Sequence, residues 1–344
     1  MRSDRASPAK YGWVAALLVL AGFVVVVAGF SEERRFAAVL LRANARWVVA
    51  IVAAQITTYV CLARLWAWIL RRTEGATPPA PSLIRLALAE LFTDQAVPSG
   101  GVGGSLFVIT ALEQRGVSRA GSSAAVVVSL LGFYGAQLFA VLGALVWFAA
   151  TGRLEAFTTV VTSIAIAAAS ITPLVAAAAA RSLNRLPRRL QHLSFVRTMH
   201  DAIESVPREL VLPASLARAA VWRLAILLLD GATLAASLAA IGHPIPLPAA
   251  WAVFVVASTA ASISFLPGGL GGFEVLSTGL LVALDVPLEG AAAAVLLTRG
   301  FTFWLPMLPG LWFTRTMLRP RSATSSGPST SGRIRRGGTG WCGR

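Results

Sequence analysis

An all-α, polytopic membrane helix bundle is the fold class this sequence predicts, and three observations predict it. Of the 344 residues, 56% are hydrophobic and 13% charged, with a mean hydropathy of +0.72; a soluble core cannot absorb that much apolar surface. Apolar stretches near the roughly 20 residues needed to cross hydrocarbon recur along the chain, and they are continuous rather than alternating, so they are helices and not barrel strands. The basic residues behind the formal net charge of +15 sit in short segments between these stretches. That is the positive-inside pattern, and it makes anionic phospholipids, not nucleic acid, the expected partner.

The elements follow in order. Residues 1–10 are read as a cytoplasmic N-terminus, with Arg2, Arg5 and Lys10 ahead of a first span from Tyr11 to Phe30. Its length and the later spans favour a retained helix over a cleaved signal peptide. A second helix, Trp47 to Leu70, returns to Arg71 and Arg72; a third, Ser122 to Ala150, follows Arg115 and Arg119. Residues 156–180 come back to a loop, 181–213, holding Arg181, Arg185, Arg188, Arg189, Arg197 and Arg208, which the positive-inside rule makes cytoplasmic. A helix from Leu216 to Ile241 leads to Gly242-His243-Pro244, and a final helix, Gly290 to Met317, ends near Arg315, Arg319 and Arg321. Segment 31–46 is assigned to the outside despite Arg34, Arg35, Arg42 and Arg46. Within the basic loop, residues 186–212 interleave Leu193, Phe195, Met199 and Ile203 with arginines, as an interfacial helix or a plain connector would. The tail, 318–344, is rich in Ser, Gly, Thr and Arg and is expected to be disordered. The bundle thus has about six spanning helices and the N- and C-termini in the cytoplasm, in a cell (plasma) membrane.

Two stretches do not read as simple spans. In residues 83–115, Leu83 to Ala96 precedes Pro98, Gly100, Gly101, Gly103 and Gly104, and Ser105 to Leu112 follows. In residues 251–284, Trp251 to Leu266 precedes Pro267, Gly268, Gly269, Gly271 and Gly272, and Phe273 to Leu284 follows. Neither half is long enough to cross, and glycine clusters favour turns with exposed backbone, so both read as re-entrant hairpins. The span count makes the first begin and end in the cytoplasm and the second outside. Gly101 and Gly269 stand 168 residues apart, and Val117 and Val286 stand 169 apart. Two inverted repeats of helix, re-entrant hairpin, helix are therefore expected, an arrangement transporters use to place half-helix ends inside the bilayer. The bland alternative is that Ala- and Gly-rich membrane helices resemble one another by composition and pack through small residues.

Charges inside apolar spans need a reason, because insertion scales put each at about 2.5 kcal/mol or more at mid-membrane. Glu90 and Asp94 are four residues apart, on one face of the first hairpin's leading half. Asp230 interrupts a leucine run, with Arg223 two turns earlier; Glu274 directly follows the second glycine cluster, and Arg299 lies in the final helix. A Glu274–Arg299 pair would neutralise both charges, either as a packing staple or as the lining of a headgroup path. Glu274, Arg299, Asp230, Glu90 and Asp94 are the candidate path. Glu113, Arg115 and Arg119 read as interfacial anchors, and Glu90 and Asp94 read equally as solvated interfacial carboxylates.

No enzyme is indicated. The glycine runs lack GxGxxG spacing and a Walker lysine, and no DxD is present. His192, His200 and His243 fall in loops, and the two cysteines, Cys61 and Cys342, offer neither a disulfide framework nor a thiolate site. No metal and no cofactor are expected.

Phe265-Leu266-Pro267-Gly268-Gly269-Leu270-Gly271-Gly272-Phe273-Glu274, then Asp285-Val286, Leu296-Leu297-Thr298-Arg299 and Trp304-Leu305-Pro306, resemble the flippase-like transmembrane domain of lysylphosphatidylglycerol synthases. The resemblance covers about residues 10–317. It implies a domain that moves a phospholipid, in the best-known members an aminoacylated phosphatidylglycerol, between leaflets. By position, Glu274 and Arg299 match polar positions of that family, and Pro98, Gly100, Gly101, Pro267, Gly268 and Gly269 match its re-entrant turns. After Gly104 this sequence has Ser105-Leu106-Phe107, where many members carry a Glu and later an Arg. It also ends without the soluble aminoacyl-transferase domain, so synthesis of the lysyl lipid is not expected of it. The leading expectation is a translocase for phosphatidylglycerol or aminoacyl-phosphatidylglycerol. The alternative is a membrane-embedded accessory of a lipid or glycosyl transferase encoded elsewhere, with small-solute transport and intramembrane catalysis behind both.

Overall fold

The computed structural model describes residues 39, 41–96, 102–153, 159, 163, 166, 206–261 and 271–317. All regular structure among them is helical: α1 (Ala45–Glu74), α2 (Ala80–Ala96), α3 (Val102–Glu113), α4 (Arg119–Ala150), a single turn α5 (Arg208–Val211), α6 (Pro213–Ala240), α7 (Leu247–Ala261), α8 (Gly272–Val282), α9 (Leu288–Arg299) and α10 (Leu305–Met317). A π-helical turn, Gly300–Trp304, joins α9 and α10 into one 30-residue rod. Four described helices are long and apolar enough to cross a membrane: α1, α4, α6 and the α9–α10 rod. The expected spans at 11–30 and 156–180, most of the loop 181–213, the tail 318–344 and the turn residues Pro98, Gly100, Gly101, Pro267, Gly268 and Gly269 lie outside the described residues.

Local chemistry sets the helix ends. Asn44 caps α1 by accepting from Arg46 N at 3.1 Å, and Ser118 caps α4 by accepting from Gly121 N at 3.0 Å, each satisfying a donor the first turn leaves open. Pro213 opens α6, where its missing amide proton is not needed. The π turn follows from Pro306: a proline cannot donate to the carbonyl four residues back and its ring pushes that carbonyl away. Leu305 N accordingly donates to Gly300 O, five residues back, and the helix widens just after Arg299.

Contacts sort the helix ends into two groups. At one, Arg115 Nε of the α3 end donates to Ser82 Oγ of the α2 start at 3.1 Å, and Ser118 donates to Glu74 at the end of α1. Met317 and Leu210 join the same buried cluster as Leu83 and Leu112. At the other, Arg153 past α4 bonds Asp285 past α8 at 2.7 Å, Asn44 N donates to Ala240 O at 2.9 Å, and Gly290 packs against His243. Thus α2 and α3 open toward the end that holds Arg71, Arg72, Arg85, Arg115, Arg119, Arg208 and Arg315, while α7 and α8 open toward the opposite end.

Helix starts recur at a nearly constant offset. α1 and α6 start 168 residues apart, α2 and α7 167 apart, and α4 and α9 169 apart. The end of α3 is closed by Val117 N donating to Leu112 O at 3.2 Å, and that of α8 by Val286 N donating to Leu281 O at 3.1 Å, 169 residues on. The left-handed residue each closure requires is Gly116 (φ +83°) in one half and Asp285 (φ +67°) in the other.

One core cluster surrounds α2 and α3, and another surrounds α7 and α8. Leu83, Leu86, Ile109 and Leu112 pack with Trp66, Ile69 and Val128, whereas Val253, Val256, Leu280 and Leu281 pack with Val141, Leu234 and Val295. α4 and α6 contribute to both. In lipid such packing gains little from hydrophobicity and depends on close backbone approach through small residues. Gly310 is the tightest instance: a Cβ there would lie 2.5 Å from Leu88 O of α2. Large apolar side chains such as Phe139, Val221 and Val275, 65–71% exposed, face outward as a lipid-facing surface does.

Candidate functional site

Glu274 stands at the third position of α8, where backbone N–H groups without helical partners favour a carboxylate. Its Oε2 accepts from Gly271 N at 2.7 Å, and Gly271 reaches this geometry at φ +83°. The other oxygen, Oε1, accepts from Arg299 Nε at 2.6 Å. Arg299 ends α9 at the edge of the π turn, with its guanidinium 5.0 Å from the Phe273 ring centre and 4.5 Å from that of Phe303. Two aromatic faces and a carboxylate together compensate a cation that sits 11% exposed by side chain, while Glu274 is 32% exposed. The pair is therefore approachable from the carboxylate side.

A second charged group forms at the first hairpin. Asp94 Oδ1 on α2 accepts from Gly104 N at 2.8 Å, so the carboxylate of one half-helix covers the amino end of the other. A Cβ at position 104 would meet that oxygen, so any larger residue must turn the Asp94 carboxylate aside. Glu90, one turn earlier, and Asp94 both interact electrostatically with Arg223 of α6. The Arg223 guanidinium donates to Ser129 Oγ of α4 at 2.5 Å and lies 5.8 Å from the Phe133 ring centre; its Nε is buried without a hydrogen-bond partner among the described residues.

The two groups share a composition: a carboxylate bound to the amide of a cluster glycine, and an arginine over a phenylalanine. They differ in how the chain supplies it. With the 169-residue offset, Ser105 occupies the place of Glu274 and Leu130 that of Arg299. Asp94 from the opposite half-helix provides the carboxylate that Ser105 lacks, and Arg223 provides the cation. Arg223 was not among the residues expected to form the path; the available signal was its position seven residues from Asp230, two turns along the same helix face.

Asp230 belongs to a different contact. Gln55 Nε2 of α1 donates to Asp230 Oδ1 at 3.2 Å and to Thr233 Oγ1 at 2.8 Å, with Tyr59 beside the carboxylate. This staples α1 to α6. The structure thus brings Glu274 to Arg299, and Glu90 with Asp94 to Arg223, but leaves Asp230 between the long helices. Gly103, Gly104 and Gly272, expected in the turns, are already helical, in the first turns of α3 and α8; Gly271 alone among the described cluster glycines is left-handed. No group of three His, Cys, Asp or Glu positioned for a metal occurs among the described residues.

The sequence matches the family model of the lysylphosphatidylglycerol synthase TM region over residues 13–310, a stretch that includes both glycine clusters and both charged groups. No curated protein matched it. With four membrane-length helices among the described residues and a match across most of its length, the chain is a multi-pass integral membrane protein that belongs to the lysylphosphatidylglycerol synthase transmembrane family.

Proposed function

We propose that the protein carries phospholipids of the phosphatidylglycerol or aminoacyl-phosphatidylglycerol type between the two leaflets. The observation that carries this reading is the Glu274–Arg299 pair: a guanidinium held by aromatic rings and one carboxylate, set behind a glycine-rich break, with the carboxylate approachable. A phosphodiester is the kind of anion that competes with a carboxylate for a guanidinium, and an aminoacyl ammonium is the kind of cation that Glu274 would accept. Exchange between such partners keeps a charged headgroup compensated where hydrocarbon alone would exclude it.

The hairpins that open toward opposite ends support a re-entrant, inverted-repeat arrangement, in which each leaflet has its own polar half-site. The arginine-rich end faces the cytoplasm on this reading, and the membrane is the cell's plasma membrane, since anionic lipid and the positive-inside rule act together there. No catalytic step or cofactor is invoked.

The test is translocation of fluorescent phosphatidylglycerol and aminoacyl-phosphatidylglycerol in vesicles with and without the protein. Faster loss of outer-leaflet signal in protein-containing vesicles supports the reading. Equal rates for both lipids, with folded protein, move the assignment to an accessory of a lipid-modifying enzyme.

A further inference from the structure

Beyond the buried charges, the arginine-rich end carries a cleft of about 490 Å³, lined by Ser82, Arg85, Arg115, Trp312, Phe313 and others, with no carboxylate among the described lining residues. A second cleft of about 590 Å³ adjoins it, sharing Ser82 and Arg115. The one acidic residue among its described lining, Glu74, is engaged by Ser118 through both Oγ and N. Arg115 is fixed by bonds to Ser82 Oγ at 3.1 Å and Ala111 O at 2.5 Å. Arg85 is exposed, with its guanidinium 5.9 Å from the Phe313 ring centre.

The opposite wall is apolar and continues away from the cleft. Leu305, Leu308 and Trp312 of α10 are 41%, 68% and 66% exposed, and their spacing puts them on one face of the helix. Trp312 thus stands where the cationic cleft meets an apolar stripe, the boundary that tryptophan favours at a membrane surface.

We infer that this cleft seats an anionic glycerophospholipid, its phosphate between Arg85 and Arg115 and one acyl chain along Leu305, Leu308 and Trp312. Charge sign selects the headgroup, and the stripe selects a lipid over a free anion, which would leave the apolar wall uncovered. None of Glu90, Asp94, Asp230, Glu274 or Arg299 lines the cleft, so the seat is separate from the path proposed above and concerns binding alone.

The experiment is native mass spectrometry of the full chain in detergent, titrated with dioleoyl-phosphatidylglycerol or dioleoyl-phosphatidylcholine. The wild type retains phosphatidylglycerol over phosphatidylcholine. Arg85→Gln reduces that retention about fivefold, the worth of one arginine against anionic lipid, and Arg85→Lys restores most of it. Arg85 is the residue to change because Arg115 also secures the end of α3. Inorganic phosphate and glycerophosphoglycerol fail to displace the lipid. Unchanged retention in Arg85→Gln overturns the seat, and so does displacement by inorganic phosphate, which would make it a site for free anions. Translocation is not read, so a protein that holds phosphatidylglycerol without moving it contradicts the functional reading alone.

Discussion

Arg299 Nε donates to Glu274 Oε1 at 2.6 Å while the same guanidinium lies against Phe273 and Phe303, so one cation joins α8, α9 and the π turn. Removing either partner takes the opposite charge away from the other. With Glu274 about a third exposed, Glu274→Gln is expected to destabilise the protein by about 1–3 kcal/mol. Arg299→Gln also loses the ring contacts and should cost more, and Glu274→Gln/Arg299→Gln less than the sum. Chemical unfolding in mixed micelles measures all three; strict additivity would show that the residues do not act as a pair.

At the first hairpin, Arg223 faces two carboxylates. Arg223→Gln leaves Glu90 and Asp94 without their cation and is expected to be strongly destabilising, on the order of 3 kcal/mol. Adding Glu90→Gln to it should recover part of the loss. If the double variant is less stable than Arg223→Gln in the same unfolding measurement, the two carboxylates do not depend on that arginine.

Gly310→Ala and Gly104→Ala separate rigid from yielding contacts. The new Cβ at 310 meets the backbone oxygen of Leu88, which cannot rotate away, so α10 must move off α2 at about 3 kcal/mol. At 104 it meets the tip of Asp94, which can rotate at the expense of its bond to Gly104 N, for about 1 kcal/mol. Equal losses in apparent melting temperature would contradict the helix crossing described.

Asp285 is left-handed where the first half of the chain uses Gly116. Asp285→Gly exchanges an exposed ion pair with Arg153, 40% and 80% exposed, for freedom from strain, and should leave stability within about 0.5 kcal/mol. Asp285→Ala loses the pair and keeps the strain, and should cost about 1 kcal/mol. A Gly variant less stable than the Ala variant would exclude this account of the α8 end.

Much of this architecture is legible in the residues. Long apolar runs place the expected helices 47–70, 122–150 and 216–241 within four residues of α1, α4 and α6, because length and hydropathy dominate in a bilayer. Glu274 and Arg299 are recognisable as a pair from two opposite charges in apolar surroundings. What local sequence does not encode is which helices cross. Arg223 stands in the sequence only as a cation two turns before Asp230 until α6 packs against α4 and its guanidinium interacts with Glu90 and Asp94. Asp94 reads as either path or interface until its bond to Gly104 N ties it to α3. Asp230 has the same apparent cost as Glu274, yet it meets Gln55 and serves the contact between α1 and α6. The π turn needs Pro306 to be read against the carbonyl of Thr302, a backbone relation rather than a side-chain pattern. The cleft at Arg115, read from sequence as a mere anchor, exists only because the ends of α2, α3 and α10 converge.

The most direct measurement is the rate at which fluorescent phosphatidylglycerol changes leaflet in vesicles carrying the wild type, Glu274→Gln, or Asp285→Gly as a fold-preserving control. The account predicts fast exchange for the wild type and Asp285→Gly, and a rate near that of empty vesicles for Glu274→Gln in protein that remains folded. Wild-type exchange no faster than in empty vesicles, or a Glu274→Gln rate equal to the wild type, would contradict it.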